Sequence, residues 1–463
     1  MNQHSAPIRS IFPSGLRIIT HKTGKKGIMA GHIRLTVGTA HATKINPRFM
    51  GLPHFNEHMV HNGESRNYRA DQVRTEISEA LFFDPNAISG MFDTHHLANF
   101  SSNGIIGQVF PVRNFWQAFE AVADGVFFPK YDQATLERER ARILNEISEN
   151  QTQLRKDNAR FYAQLFGVDY MGFDGLGTRE QVIGYNRNDL IAFQDITGTL
   201  RNTVIVVTGD VEHQEAISRI EKILSDVPKG HTELPSLKRG EVQQGEFRRQ
   251  TDGANEGLVE ASLHFPAPDV SHKEFHGTLL AAPALSRIIS DAVQNRFGAY
   301  STWLSYKGWL TPLPSVQLTV KTGEKAKAAD ALAFAVEVMQ DPKTMELLEQ
   351  KHDKLIGRRI NDIEVFQPPL QEMTSGIHLY NDLNIPFFTD EESIAQYKRV
   401  SPADIAMAVT RLNTSLAFLE VRGHHDALDA IPSIDLVEAW RSKPSEPLIR
   451  TRQPANFPHH HPK

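Results

Sequence analysis

Two stretches of the chain, about half its length apart, share one pattern of apolar and polar positions. Residues 202–211 (NTVIVVTGDV) and 415–423 (SLAFLEVRG) are each an apolar run that a glycine closes, Gly209 in the first and Gly423 in the second. Such runs predict buried strands that end in turns. The two glycines stand 214 residues apart, and this recurrence predicts two copies of one fold within the chain.

Helices are predicted beside the strands in each half. After the first apolar run, apolar residues recur at helical spacing from Ala216 to Leu224, and Pro228 marks the end of that helix. Further strands are predicted at residues 31–37 and 258–265, and one long charged helix from about residue 134 to residue 166. This mixture predicts the α+β class in both halves.

A polar stretch separates the two halves. Residues 228–250 (PKGHTELPSLKRGEVQQGEFRRQ) carry Pro, Gly and charge without periodicity, which is typical of a linker. We therefore expect an N-terminal domain at residues 1–228, a linker at residues 229–250 and a C-terminal domain at residues 251–463.

Composition narrows the possible classes of function. The 463 residues include 50 Lys and Arg against 55 Asp and Glu, a formal net charge of −5, which predicts no basic surface for nucleic acid or an anionic membrane. The absence of cysteine excludes disulfides, thiolate nucleophiles and cysteine-held metals, so any metal must be bound by His and carboxylates. No apolar run approaches the roughly 18 residues of a membrane helix, and the first residues do not resemble a secretory signal. We expect no membrane segment and a cytoplasmic location.

The candidate chemistry lies in residues 51–63, GLPHFNEHMVHNG. If Pro53 opens a helix, His54 and His58 are only about 40° apart around its axis, so that both rings can bind one metal ion. Glu57 lies on the same side, where its carboxylate can act as a general base on a water at the open metal position. This H-x-x-E-H order is typical of the inverzincins. In a chain with 21 histidines, a helix with solvated His and Glu side chains is the alternative interpretation.

A zinc site of this kind needs a third protein ligand, and the sequence offers several candidates. His61 shares the face of the two histidines but lies about 10.5 Å from the first along the axis, which one ion cannot easily span. Glu139, Glu146 and Glu149 all lie on the predicted long helix. Glu146 is flanked by isoleucines on the side expected to be buried, where a carboxylate is costly unless it is paired or binds a cation. A solvated charged face is the alternative.

Several segments together resemble the M16 metallopeptidases, the family of pitrilysin, insulin-degrading enzyme and the mitochondrial processing peptidases. Residues 51–63 resemble the family's G-L-A-H-F-x-E-H-M-x-F-x-G segment. Residues 12–22 (FPSGLRIITHK) and 37–51 (VGTAHATKINPRFMG) resemble the opening strand and the stretch that leads into this segment. Residues 86–100 (NAISGMFDTHHLANF) resemble the edge strand of the family's cleft, and residues 139–149 (ERARILNEISE) resemble its E-R-x-x-V-x-x-E run.

The resemblance implies a fold and a metal site. The fold would be two homologous α/β-sandwich domains, each an antiparallel-rich sheet with helices on one face, related by internal duplication and forming the M16 half-clamshell. Zn²⁺ would be held by His54, His58 and Glu146. Glu57 would be the catalytic base, and Glu139 would support the site without binding zinc. The 87 residues between His58 and Glu146 exceed the usual family spacing, and an insertion around GIIGQVFPVRN would account for the excess.

The resemblance also implies substrate-binding residues. Asn86 and Ala87 begin the segment that resembles the edge strand of the cleft, to which an extended peptide would add a strand. Residues 295–303 (NRFGAYSTW) resemble the family's R-x-K-x-G-L-A-Y segment, whose Arg and Tyr help bind substrate. Tyr300 matches that Tyr. The position seven residues earlier holds valine, so Arg296 is the candidate substitute for the Arg, and ordinary packing with a surface charge is the alternative for both residues.

These observations predict a zinc-dependent endopeptidase that hydrolyses unfolded peptides in an enclosed chamber. The C-terminal domain is expected to contact substrate and to bind no metal. Family members of this length supply half of the chamber, so we expect a homodimer, or a heterodimer with another M16-like chain, and neither nucleic acid nor membrane as a partner. Two alternatives stay open: a non-catalytic M16-like partner or scaffold subunit, and a metal-dependent hydrolase of non-peptide bonds.

Overall fold

The computed structural model divides the chain into two compact units. The first comprises Met1–Glu241, Leu310–Leu313 and Asn361–Ala395, and the second comprises Val242–Trp309, Pro314–Ile360 and Gln396–Lys463. A segment of the C-terminal half, residues 361–395, is therefore grouped with the first unit. The described residues are 6–69, 104–105, 109–150, 153–237, 240–251, 257–298, 301–307, 313–365, 370–382 and 387–441.

The first unit is built around a six-stranded sheet. Its strands are β1 (Ile8–Ile11), β2 (Arg17–Lys22), β3 (Ile28–Leu35), β4 (Gly104–Ile105), β5 (Val109–Pro111) and β6 (Thr203–Gly209). They lie in the order β1, β2, β6, β3, β4, and β5 also pairs with β3. The β2–β6 pair is parallel and the other described pairs are antiparallel. Every residue of β6 is buried, as its apolar sequence predicts.

The second unit contains a five-stranded sheet of closely similar design. Its strands are β7 (Gly245–Gln250), β8 (Val259–Pro266), β9 (Ser301–Lys307), β10 (Ser315–Thr322) and β11 (Phe418–Gly423). They lie in the order β7, β11, β8, β10, β9. The β7–β11 pair is parallel and the others are antiparallel. Each sheet thus combines one parallel pair with an antiparallel remainder.

The two closing glycines occupy the same structural position in the two sheets. A Cβ atom on Gly209 would lie 2.3 Å from the carbonyl oxygen of Ile28, where β6 ends beside the start of β3. A Cβ atom on Gly423 would lie 2.3 Å from the carbonyl oxygen of Leu258, where β11 ends beside the start of β8. Only glycine fits so close an approach of two backbones. The recurrence seen in the sequence therefore has the same steric cause in both units.

Helices surround both sheets. The first half of the chain contains α1 (Thr39–Ile45), α2 (Leu52–Asn62), α3 (Val112–Phe127), α4 (Gln133–Asn150), α5 (Gln153–Phe166), α6 (Arg179–Gly184), α7 (Arg187–Thr197) and α8 (His213–Ile223). The second half contains α9 (Phe275–Phe297), α10 (Lys325–Gln340), α11 (Pro342–Gln350), α12 (His352–Val365), α13 (Leu370–Asp382), α14 (Asp390–Arg399), α15 (Pro402–Thr414) and α16 (Ile434–Arg441). Short 3₁₀ helices lie at Pro47–Phe49, Asp169–Gly172, Leu200–Asn202 and His425–Ala430.

Both faces of the first sheet are covered. Side chains alternate along a strand, so Ile205 and Val207 point to one face of β6, and Val204 and Val206 point to the other. The first face forms a large core with α3 and α8. On the second face, Val204 and Val206 pack with Ile377 of α13. Helix α13 thus covers the second face of the sheet, whereas the predicted fold has helices on one face.

The core of the second unit follows from strand register. Leu263 of β8 is paired with Leu419 of β11 on one side and with Leu318 of β10 on the other, and Leu318 is paired in turn with Leu304 of β9. All four side chains are buried. They form one apolar row across four strands, which pins the register, because a slip by one residue would turn the row to the opposite face.

The structure changes one predicted boundary and leaves another untested. The charged helix predicted from about residue 134 to residue 166 corresponds to α4 and α5, and residues 151–152 between them lie outside the described residues. The last residues of the predicted linker form strand β7, which was not predicted because its sequence is charged. Arg249 is buried in this strand because Glu420 pairs with it at 2.6 Å. The domain limits at residues 228 and 251 stay a prediction. Among the described residues, no helix is both long and apolar enough to cross a membrane.

Candidate metal centre

Helix α2 begins at a close approach between two backbone segments. Pro53 lies in the first turn, where its missing N–H has no helical partner to lose and its fixed φ suits the helix. A Cβ atom on Gly51 would lie 2.8 Å from the carbonyl oxygen of Leu176, so glycine is required there. The Gly51 N–H donates to the hydroxyl of Tyr185 at 3.1 Å. These contacts set the start of the helix that carries both predicted metal-binding histidines.

Helix α2 packs against helix α4 through a shared apolar cluster. Both helices present apolar side chains at helical spacing, which is the pattern of packed amphipathic helices. The buried members of this cluster on the two helices are Leu52, Phe55 and Met59 of α2 and Leu136, Ile143 and Ile147 of α4. This packing brings the polar residues beside the apolar stripe of each helix together.

The structure brings His54, His58 and Glu146 together. The Nε2 atom of His54 lies 3.4 Å from Oε2 of Glu146, and the Nε2 atom of His58 lies 3.4 Å from Oε1 of the same carboxylate. The two imidazole rings have centroids 4.7 Å apart. The side chains are 10%, 16% and 36% exposed respectively, so the group is sheltered by protein but open to solvent on the side of Glu146.

The spacing of these atoms fits a metal ion. One ligand atom from each of the three residues lies within 4.8 Å of the others. A tetrahedral zinc with bonds of about 2.0–2.1 Å separates its ligand atoms by about 3.3 Å, close to the two measured distances of 3.4 Å. Two imidazoles and one carboxylate are also a ligand set that zinc uses in catalytic sites, where a fourth position stays open. The residues present therefore fit zinc.

Glu139 lies behind His58 and orients its ring. Its side chain is fully buried, and its Oε2 atom accepts a hydrogen bond from Nδ1 of His58 at 3.1 Å. Arg138 and Arg142 donate to the same carboxylate at 3.0 and 2.9 Å, and Asn62 donates at 3.3 Å. Because Nδ1 of His58 donates to Glu139, Nε2 is the nitrogen that can bind a metal once it has lost its own proton.

The charges around His58 shift three pKa values. Burial lowers the pKa of His58, but hydrogen bonds to Glu139 and Glu146, with the charges of Glu146 and Glu57, outweigh burial and raise that pKa to about 9. The hydrogen bond with His58 lowers the pKa of Glu146. Burial would raise the pKa of Glu139, but its bonds from His58 and the two arginines lower it. Without metal, the group therefore holds a protonated His58 between ionised carboxylates.

The remaining candidates on these helices lie outside the group of three. Glu57 is half-buried on α2, and its charge acts on His58. His61 is half-buried further along α2, and Glu149 is exposed on α4. Neither His61 nor Glu149 joins the three residues whose ligand atoms converge.

The predicted substrate-binding residues are mostly not described. Asn86, Ala87 and Tyr300 lie outside the described residues. Arg296 is exposed in the last turn of α9, with its guanidinium 4.3 Å from the ring centroid of Phe334. Its predicted role in substrate binding stays a prediction.

A second cluster of His and carboxylate side chains lies in the second unit. His424, His425 and Asp426 have ligand atoms within 4.8 Å of one another. The ammonium group of Lys325 lies 2.8 Å from Oδ2 of Asp426, and His424 pairs with the same carboxylate. These two contacts lower the pKa of Asp426. A metal ion bound here would therefore have to compete with Lys325 for this carboxylate.

The partners of Glu139 were not predicted from the sequence. Arg138 and Arg142 stand one residue before and three residues after it, and Asn62 lies one turn beyond His58 on α2. The signal in the sequence was the (i, i+3) pair of Glu139 and Arg142. The pair is common on solvated helices, so the sequence did not distinguish a buried carboxylate from an exposed one.

A family model matches part of the chain. Residues 185–352 match the model of the Peptidase M16 inactive domain. This segment follows all three residues of the metal group and contains none of them. The match supports a relation to the M16 peptidase family.

Two curated proteins each match less than half of the chain. The chain is similar to an uncharacterized zinc protease of Rickettsia bellii, with 25% identity over 225 residues, 47% of this chain and 49% of that protein. It is similar to the mitochondrial-processing peptidase subunit beta of Lentinula edodes, with 28% identity over 181 residues, 38% of this chain and 36% of that protein. The matched segments thus span half or less of the length of these curated relatives.

A solved structure shares the whole fold. The first half of the periplasmic protease PqqL from Escherichia coli matches with a TM-score of 0.76 and 15% identity, over 97% of this chain and 100% of that chain. This match and the two related sheets confirm the predicted α+β fold with an internal duplication. The predicted cytoplasmic location stays a prediction.

Proposed function

We propose that this chain is a zinc-dependent endopeptidase of the M16 type. The observation that carries the proposal is the convergence of His54, His58 and Glu146 at distances that suit the edges of a zinc tetrahedron, with Glu139 orienting His58 from behind. The relatives named zinc protease and processing peptidase support the same class.

The side chains of this site would divide the reaction between them. His54, His58 and Glu146 would hold the zinc, which when bound supplies a Lewis acid for peptide hydrolysis. Glu57 would take a proton from the attacking water and return it to the leaving amine, so that no covalent intermediate is needed. Glu139 would keep Nε2 of His58 directed at the metal through the hydrogen bond to Nδ1.

The inactive-domain match is compatible with this proposal. The matched segment begins at residue 185, after the last of the metal-binding residues. An inactive domain in the second half would bind no metal and would contact the substrate instead. We propose that Tyr300 and Arg296 make this contact. Asn86 and Ala87 are proposed to hold an extended peptide at the sheet edge of the first domain.

A partner chain is part of the proposal. The PqqL structure that matches 97% of this chain is the first half of the PqqL protein. We therefore propose that a second M16-like half, in a homodimer or a heterodimer, completes a chamber that admits unfolded peptides. Cleavage should then fall steeply once a substrate is stably folded.

Two substitutions test the division of labour. Glu57→Gln should keep about one zinc per chain and still bind peptide, yet lose several orders of magnitude in turnover, because a base is removed without a ligand. His58→Ala should lose the zinc itself. Glu149→Gln, an exposed change on α4, is the matched control and should keep both zinc and turnover. Near-normal cleavage by Glu57→Gln would show that the proposed mechanism is wrong.

The products distinguish the two alternative functions. Mass spectrometry of a mixed peptide pool should reveal internal cleavages that disappear in Glu57→Gln. A non-catalytic partner subunit would cleave no peptide even with full zinc. A hydrolase of non-peptide bonds would bind zinc and leave the pool intact while hydrolysing ester or amide model compounds through Glu57.

A further inference from the structure

The side of α2 opposite the two histidines carries a buried polar residue. Asn56 lies two residues from each of His54 and His58, which places it about 160° around the helix from both. It is 0% exposed. Asparagine is a poor helix former, and a buried amide is costly unless it is hydrogen-bonded. The partners of Asn56 are therefore informative.

Asn56 belongs to a directed chain of buried hydrogen bonds. The hydroxyl of Tyr131 donates to Oδ1 of Asn56 and also lies 3.2 Å from Oε1 of Gln194. Nδ2 of Asn56 donates to the same Oε1 at 3.4 Å. Nε2 of Gln194 donates to the backbone carbonyl of Val126 at 2.9 Å. This last bond sets the orientation of the Gln194 amide, and the orientation of Asn56 follows from it. We call Asn56, Tyr131 and Gln194 the back network.

Tyr131 has an unusual backbone conformation. Its φ is +52°, the one positive value at a non-glycine residue among those described. The left-handed region is disfavoured for a bulky side chain and persists where surrounding contacts determine it. Arg187 donates to the backbone carbonyl of Tyr131 at 3.1 Å, and the side chain is buried. The backbone of Tyr131 is therefore held in a strained conformation in which its hydroxyl donates to Asn56.

The position of Tyr131 links the two helices of the metal centre. It stands two residues before the start of α4, the helix that carries Glu139 and Glu146, while its hydroxyl holds the back of α2. The apolar contacts between α2 and α4 are not directional, so they tolerate small rotations of α2. The side chains that bind a metal must be held within about 0.5 Å and 10–20° of the geometry that the metal requires. The bond from Tyr131 to Asn56 therefore adds a directional contact at the back of α2 to the bonds that Glu139 makes with His58 and Asn62.

We propose that the back network is a positioning device, which fixes the rotation of α2 relative to the start of α4 and so sets the distances within the metal-binding group. This inference rests on the proposed zinc site. The back network acts through α2, because Asn56 lies on the side of this helix opposite His54 and His58.

The test compares two deletions of one buried hydroxyl. Tyr131→Phe removes the bond to Asn56, and Thr208→Val, the matched control, removes a buried bond to Thr374 at 2.6 Å in the same unit. Zinc affinity of the metal-free full chain is measured by chelator competition, and stability by denaturant unfolding in chelator. We expect both variants to lose stability. Only Tyr131→Phe should weaken zinc binding, by about 10- to 100-fold, as changes to supporting partners do.

A second variant and the wild type complete the design. Gln194→Met, which keeps side-chain length and removes the acceptor for Asn56, should weaken zinc binding in the same direction. Wild-type zinc affinity in both Tyr131→Phe and Gln194→Met would overturn the inference, as would an equal loss in Thr208→Val. If the wild-type chain bound no zinc, or bound it independently of His58, the proposed function itself would fail, which is a different result.

Discussion

Helix α2, the second helix after β3, and helix α9, the first helix after β8, carry different kinds of side chain. Helix α2 presents His54 and His58 at the edge of its apolar stripe. Helix α9 is 23 residues long, and its buried positions are apolar or small except Thr278. The duplication thus retained the sheet, whose packing needs only apolar alternation. The two histidines of the candidate metal centre lie on the helix that differs between the units.

The buried carboxylates of the two units make the same contrast. Glu420 in the second sheet is held by Arg249 at 2.6 Å and faces Nε2 of His264 at 3.4 Å. Glu139 in the first unit is held by arginines too, but its histidine partner turns a second nitrogen toward another carboxylate. Partners lower the pKa of both carboxyl groups against the effect of burial. What sets the first unit apart is that the histidine beside Glu139 also faces Glu146, and these two residues form with His54 a group that can hold a metal ion.

The largest expected effect is on the ligand carboxylate. Glu146→Gln should weaken zinc binding by more than the 10- to 100-fold typical of supporting partners, because it removes a direct ligand. Glu149→Gln and His61→Ala should leave zinc content nearly unchanged. Elemental analysis after dialysis against a weak chelator measures the zinc content of all three variants. The chain is truncated before His459 so that the histidines of the C-terminal tail do not bind zinc. Full zinc in Glu146→Gln with loss in His61→Ala would overturn the proposed ligand set.

The two buried carboxylates should separate when each is neutralised. Glu139→Gln should weaken zinc binding by about 10- to 100-fold. Glu420→Gln should leave zinc binding unchanged and lower the free energy of unfolding by about 3–5 kcal/mol, the range for breaking a buried ion pair. Zinc competition and denaturant unfolding of the metal-free chain measure the two effects. Equal zinc loss in both variants would erase the distinction between the units.

A smaller effect is expected from pH. His58 in the metal-free chain has a pKa raised to about 9, so zinc must displace a proton below that pH. Zinc affinity should therefore fall about tenfold for each pH unit below 9, and calorimetry in buffers of different ionisation enthalpy should detect about one released proton. The same shift stabilises the metal-free fold fully below pH 6.5, and this stabilisation is lost as the pH rises through 9. Zinc uptake without proton release at pH 7 would contradict the raised pKa.

The smallest effect is expected from the cluster of the second unit. Because Lys325 balances Asp426, His425→Ala should leave zinc stoichiometry at one per chain. Elemental analysis of the truncated chain tests this expectation. A second zinc that disappears in His425→Ala would show that both units bind metal.

Much of the fold could be predicted from local sequence. Apolar runs closed by Gly209 and Gly423 predicted the central strands, because their burial and close backbone approach demand those residue types. Strand β7 and the cover provided by α13 were not predicted. The first depends on a distant ion pair that permits a charged buried strand, and the second on packing between segments far apart in the chain.

The candidate site divides in the same way. The placement of His54, Glu57 and His58 on one side of a helix follows from local sequence, since helical periodicity and Pro53 are local properties. Which carboxylate meets the two histidines depends on the packing of α2 on α4, which brings Glu146 rather than Glu149 to them. The back network likewise could not be predicted from local sequence. No sequence pattern links Asn56, Tyr131 and Gln194, and their hydrogen bonds form because three separate segments of the chain bury them together.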